Sequence, residues 1–348
     1  MNNPSKPGNN FNLLRLIFAT MVIVSHAPEL QDGNRNHEIL TNIFNTISLG
    51  ELAVDSFFIL SGFLIVKSWD QRPSFQTFFM ARILRICPGY LVASMICALI
   101  IGPIFGANNY LSSFDIPKFM ASILKLSAPI TPEIFIGSHY PRANASLWSI
   151  HYEFICYMLV LGLGLLGVVK NRSMWLLITV FFMAIYALSK TNAIPITNIS
   201  INLFVRCSMA FMTGGCFYLF RNMIVWNRGI STLSFLILLP LMLVQSTAEI
   251  AVAIFWGYLI VFYAIAGKQL LDFRKLPDIS YGVYLYAFPI NKIILYYTPN
   301  INVYLSMLIV LFSSIIAGLF SWYLIERPFM ALKSFNMERY FLLKEKIL

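Results

Sequence analysis

Charge is what this sequence has least of. Only 11% of the 348 residues are charged, with 15 acidic residues, 25 basic ones and four histidines. That excludes a string of soluble domains, in which about 25% of residues are charged. A hydrophobic content of 58% and a mean hydropathy of +0.73 place the chain in a bilayer. Alternating apolar and polar strands are missing too, so a β-barrel is excluded in favour of α-helices. Internal repeats and low-complexity tracts are absent. The five cysteines, Cys87, Cys97, Cys156, Cys207 and Cys216, form no CxxC pair and lie in or beside apolar runs, which points to packing rather than to a disulfide or a metal site.

What the chain does have is about ten apolar runs, each near the roughly 20 residues that a hydrocarbon core requires. They lie near 11–30, 46–69, 89–106, 146–169, 174–190, 199–220, 229–245, 248–266, 278–297 and 301–325. The expected fold is an all-α membrane protein, a single domain over 1–348 with about ten transmembrane helices and a short tail after 326. The net charge of +10 is no sign of nucleic acid, because the basic residues collect at one set of helix ends. With the N-terminus inside, only Arg35, Lys118, Lys125, Arg142 and Lys190 fall outside, while Arg206 and Lys292 fall within helices. Both termini are therefore expected in the cytoplasm.

Lys6, Arg15, the short apolar run after them and "SHA" also fit a signal peptide cut after Ala27. Pro28 follows that cut, and Arg15 and His26 have a better joint explanation. The long polar connection 107–145 is expected outside, with a weakly apolar piece at 119–136 that could dip back. "GGC" at 214–216 suits close helix contact.

An ionisable residue inside a membrane is expensive and marks function by default. In "FNLLRLIFATMVIVSHAPEL", Arg15 and His26 are eleven residues apart, nearly on one face and about 16 Å apart along a helix. "GELAVDSFFILSGFLI" places Asp55 deep in the second helix with Glu51 one turn above it, and "SLWSIHYEFICY" places Glu153 at a similar depth. The plain reading is polar glue between helices. The sharper one is a general base, His26, whose tautomer is set by a carboxylate, as needed to take a proton from a hydroxyl nucleophile. In "FFMARILRICPGY", Arg82 and Arg85 share a face near the inner boundary, where guanidiniums serve either as anchors or as phosphate ligands.

These blocks, together with "ISYGVYLYAFPI" and "WYLIERPF", resemble the acyltransferase 3 family of integral-membrane O-acyltransferases, in order along the whole chain. The resemblance implies transfer of an acyl group, commonly acetyl, from cytoplasmic acyl-CoA to a hydroxyl of a surface carbohydrate. Acyl-CoA is a co-substrate rather than a bound cofactor. It also implies essential roles for His26 and Arg15 and donor handling by Arg82 and Arg85, with Asp55, Glu153 and Trp148 at the acidic and aromatic positions of their blocks. Where many relatives carry a histidine in the late "YLxHxP" block, this chain has Ala287, and His151 stands where relatives have a small residue.

On that reading Arg82 and Arg85 bind the phosphates of acyl-CoA, and the pantetheine arm reaches inward toward His26, poised by Asp55 or Glu153. Arg15 lines the donor path, and Trp148 and Tyr284 are candidates for the acceptor wall, beside Tyr281 and Tyr286. An acyl-enzyme on His26 or Ser61 is an alternative route. The expected location is the bacterial inner membrane. The rival reading is a transporter or flippase of a lipid-linked glycan, since intramembrane charges equally mark carrier pathways.

Overall fold

The computed structural model describes residues 10–191, 193, 194, 196–265 and 277–332. Among them the regular structure is helical, with one isolated β-bridge between Gly106 and Ile134 and no named strand. In chain order the principal helices are α1 (Phe11–Asp32), α2 (Leu49–Gln71), α3 (Phe75–Phe105), α4 (Ile116–Leu124), α5 (Trp148–Leu165), α6 (Arg172–Lys190), α7 (Ile199–Leu219), α8 (Arg228–Leu241), α9 (Ala248–Ile265), α10 (Ser280–Tyr297) and α11 (Val303–Leu332). Eight of these are long and apolar enough to cross a membrane. The other two expected runs are also helices. One is α8, with 14 residues, and the other is α10, whose 18 residues include Asn291 and Lys292.

The helix expected from residue 89 begins at Phe75, because Pro88 lies inside α3 without ending it. A membrane helix tolerates such a proline where neighbours can satisfy the freed carbonyl. The apolar piece at 119–136 yields only the nine residues of α4, capped by the Asp115 side chain. Pro129 and Pro132 follow it, and Leu126 and Phe135 adopt positive φ, so the chain turns instead of spanning. The loop before α4 is pinned by the Tyr110 hydroxyl, which donates to the Ala98 carbonyl at 2.9 Å. Burial pushes that phenol up to about 12. Lys6, Lys268, Arg274, Lys275, Lys333, Arg339, Lys344 and Lys346, on which part of the expected sidedness rests, lie outside the described residues.

The helices form two compact units. The first takes in the chain up to Glu29, Asn34–Pro73 and Ile155–Pro277. Its centre is the seam between α2 and α7, where a Cβ added at Gly62 would lie 1.9 Å from the Phe211 carbonyl oxygen and one at Gly214 would lie 2.0 Å from that of Ile59. Backbone thus meets backbone, the small-residue contact suggested by "GGC". Gly215 makes room for the Trp175 ring of α6, whose Nε1 donates to the Met212 carbonyl at 3.0 Å.

The second unit consists of Leu30–Gly33, Ser74–Phe154 and the chain from Asp278 onward. Here α10 packs on α11 through Gly282 and Gly318, and on α3 through Gly89 and Tyr281. Three helices contain a π-helical turn: Cys97–Ile101 in α3, Val252–Trp256 in α9 and Trp322–Glu326 in α11.

The distribution of polarity is that of a protein in lipid. Leu99, Leu177, Phe181, Leu236, Phe312 and Phe320 are exposed, while Asp55, Arg206, Glu249, Lys292 and Glu326 are buried. The α2–α7 seam should tolerate no side chain: Gly62→Val or Gly214→Val is expected to destabilise the protein by on the order of 1–3 kcal/mol or more. A lower thermal midpoint in detergent than that of Gly229→Val checks this, since a Cβ at Gly229 meets only the Asn227 side chain at 3.5 Å.

Candidate active site

His26 projects half-buried from α1, and its Nδ1 lies 3.2 Å from Oε2 of Glu29. The two residues are i, i+3 neighbours, so one helical turn is enough to bring them together. A carboxylate at Nδ1 favours the tautomer that carries its proton there and leaves Nε2 with a free lone pair, as a base requires. Pro28 lies between them and has no N–H to give to the Val24 carbonyl, which loosens the turn that carries the pair. Arg15 is half-buried eleven residues earlier on the same helix.

Asp55, expected beside His26, is engaged elsewhere. It is buried in α2, and its Oδ2 accepts from Nη2 of Arg206 on α7 at 2.9 Å. Glu51, one turn above on the same face, accepts from Nη1 of Arg206 at 3.2 Å and pairs with Nη2 of Arg35 at 2.9 Å. Glu51 also closes a capping box with Ser48, which fixes the start of α2. A second pair in this unit joins Lys190 of α6 to the buried Glu249 of α9 at 3.7 Å. Ser61 is buried in α2.

The remaining expected site residues belong to the second unit. The Arg82 guanidinium lies over the Phe78 ring at 5.4 Å. Arg85 is heavily engaged: Nη2 donates to Oδ2 of Asp278 at 2.7 Å, and Nη1 lies 3.4 Å from Oε2 of the buried Glu326. The rings of Tyr281 and Trp322 flank it. Arg85 on α3 therefore clamps the start of α10 and the Trp322–Glu326 turn of α11 together. Glu153 is half-buried on α5. Trp148 stacks edge-on with Tyr152 at 5.8 Å. The Tyr284 hydroxyl bonds to Ser149 Oγ at 2.8 Å and to the Ser146 carbonyl, tying α10 to the start of α5. His151 bonds to the Lys125 carbonyl, a structural tie.

The sequence reading passed over Glu29, Glu249, Asp278 and Glu326. The signal for Glu29 is its i, i+3 spacing from His26. The signal for the others is an acid facing a cation, Lys190 or Arg85, across a distance that only the folded chain reveals.

The profile of the acyltransferase domain family matches residues 9–327. The chain belongs to this family. It is 29% identical to an O-acetyl transferase of Shigella phage Sf6 over 94% of this chain and 97% of the relative. Nodulation protein 10 of Rhizobium leguminosarum bv. viciae is 31% identical over 43% of this chain and 42% of its own length. The acyltransferase MdmB of Streptomyces mycarofaciens is 29% identical over 42% of this chain and 36% of its own. No solved structure matches the chain.

Removing one partner of a buried ion pair costs about 3–5 kcal/mol, whereas replacing both partners by apolar side chains is often near neutral. Asp55→Leu should therefore unfold at a markedly lower temperature than the wild type, and Asp55→Leu with Arg206→Met should recover most of the loss. A thermal melt of the three proteins in detergent checks this, and acyl transfer by the double variant separates a structural Asp55 from a functional one.

Proposed function

We propose that the protein is an O-acyltransferase of the bacterial inner membrane, with both termini in the cytoplasm. It moves an acyl group, by analogy with its phage relative an acetyl group, from cytoplasmic acyl-CoA to a hydroxyl of a surface or lipid-linked carbohydrate. The observation that carries this reading is the His26–Glu29 pair on α1, in a chain that aligns over nearly its full length with an O-acetyl transferase.

Nε2 of His26 accepts the proton of the acceptor hydroxyl as its oxygen attacks the thioester carbonyl carbon. The C–S bond then breaks, and CoA leaves as a thiol after taking up that proton. Glu29 holds the imidazole in its basic tautomer and stabilises the imidazolium that forms, the part first expected of Asp55 or Glu153. Asp55 acts through Arg206 by fixing α2 against α7.

On the donor side Arg82 contacts the phosphates of acyl-CoA, supported by Phe78, while Arg85 positions α3 through Asp278 and Glu326. Arg15 supplies a further cation along the donor path. Trp148 and Tyr284 shape the wall that the acceptor meets.

His26→Ala should remain folded and lose acyl transfer to glycan, and Glu29→Gln should lower kcat by roughly 10²-fold, the smaller end of general-base effects. Release of CoA thiol from acetyl-CoA and radiolabelling of glycan in membrane fractions measure both; full labelling by His26→Ala rejects the base assignment. Arg82→Ala should raise the KM for acetyl-CoA and leave the acceptor KM unchanged, and a rise confined to the acceptor would remove Arg82 from the donor site.

A further inference from the structure

A cavity of about 290 Å³ lies in the second unit, lined by Gln31, Phe135, Ser138, His139, Lys292 and Tyr296 among others. This is near the lower end of the range for small-molecule sites, about 300 Å³, and has their mixture of aromatic walls and a few polar groups. Lys292 is its unusual member. It is only 2% exposed, and lysines are almost never so buried without a counter-ion. Its Nζ donates to Ser138 Oγ at 2.6 Å and lies 5.5 Å from the Phe135 ring centroid, and among the described residues it forms no ion pair.

A second group at the cavity is also unsatisfied. Gln31 Nε2 donates to the Ile301 carbonyl at 2.7 Å, and its Oε1 is buried with no hydrogen-bond partner. The aromatic wall is braced from behind, with the Phe105 ring 5.0 Å from that of Phe135 and 5.1 Å from that of Tyr296. Such a wall offers a flat apolar face to the C–H side of a sugar.

The place of the cavity along α10 matters as well. Tyr281, at the start of the helix, lies beside Arg85, and Lys292 is eleven residues further on, about 16 Å along the axis. The cavity is therefore at the opposite end of α10 from the Arg85 cluster, on the side where the proposed function brings in the acceptor.

We propose that this cavity is the acceptor subsite and that it selects a sugar bearing an anionic group, a carboxylate or a phosphate, with Lys292 as the counter-ion. Gln31 Oε1 accepts a hydroxyl of the same sugar, and Tyr296 lies under its ring. The inference rests on the acyltransferase reading above and names the class of acceptor for that site.

The full chain in neutral detergent is melted with glucose, glucuronate, glucose 6-phosphate or inorganic phosphate at equal ionic strength. Either or both charged sugars should stabilise it at concentrations at least tenfold lower than glucose or inorganic phosphate, and which one does so tells carboxylate from phosphate. Lys292→Met should melt at or above the wild-type temperature without ligand, since it removes an uncompensated buried charge, and should lose the preference; Lys292→Arg should keep it. Glucose or inorganic phosphate acting as well as the charged sugars, a preference retained in Lys292→Met, or a Lys292→Met protein that melts far below the wild type would each overturn the proposal. CoA release from acetyl-CoA, followed separately, distinguishes the two readings: its absence with charge preference intact rejects the acyltransferase and leaves the anion site.

Discussion

The first unit depends on one contact, the backbone-to-backbone meeting of α2 and α7 at Gly62 and Gly214. Gly62 and Gly214 let each helix rest on the other's carbonyl oxygens, and no lipid can enter so narrow a gap. That closeness places Arg206 within reach of Asp55 and Glu51, which lie one turn apart on α2. The charges and the glycines need each other: the guanidinium would be costly to bury without both acids, and the acids would be costly without it.

The second unit solves the same problem differently. Arg85 receives two carboxylates from helices far apart in sequence and two aromatic rings, so one residue of α3 fixes the start of α10 and the end of α11. A guanidinium suits this task because its planar fork can serve two acids and stack on rings at once. The cost is that such an arginine has little capacity left for a phosphate. At the far end of α10, Lys292 shows the opposite economy, a buried cation held among the described residues by the Ser138 hydroxyl and the Phe135 ring rather than by a carboxylate.

Much of this was legible from sequence. Each of the ten apolar runs falls on a helix, because runs of aliphatic residues that long have no alternative to helix in lipid. The small-residue seam at 214–216 was legible for the same reason, and so was the shared face of Glu51 and Asp55. Partnerships were not legible. Depth along a helix can be counted from its ends, which put Asp55 near His26 on paper, but the direction a side chain faces depends on packing, which gave Asp55 to Arg206. Glu29 lies three residues from His26, a spacing that depth in the membrane does not single out, since residues on other helices reach the same depth. The extent of α3 was missed because Pro88 and Gly89 look like a stop in water and are not one in a membrane.

The turn Trp322–Glu326 carries one more residue than an α-helical turn, and it ends on the acid that meets Arg85. Winding the same residues as an ordinary α-helix would swing the Glu326 carboxylate about 100° around the α11 axis, away from its cation. The pairing that closes this part of the second unit is thus set as much by how the chain winds as by chemistry: an ordinary α-helical turn would undo it with every residue type intact.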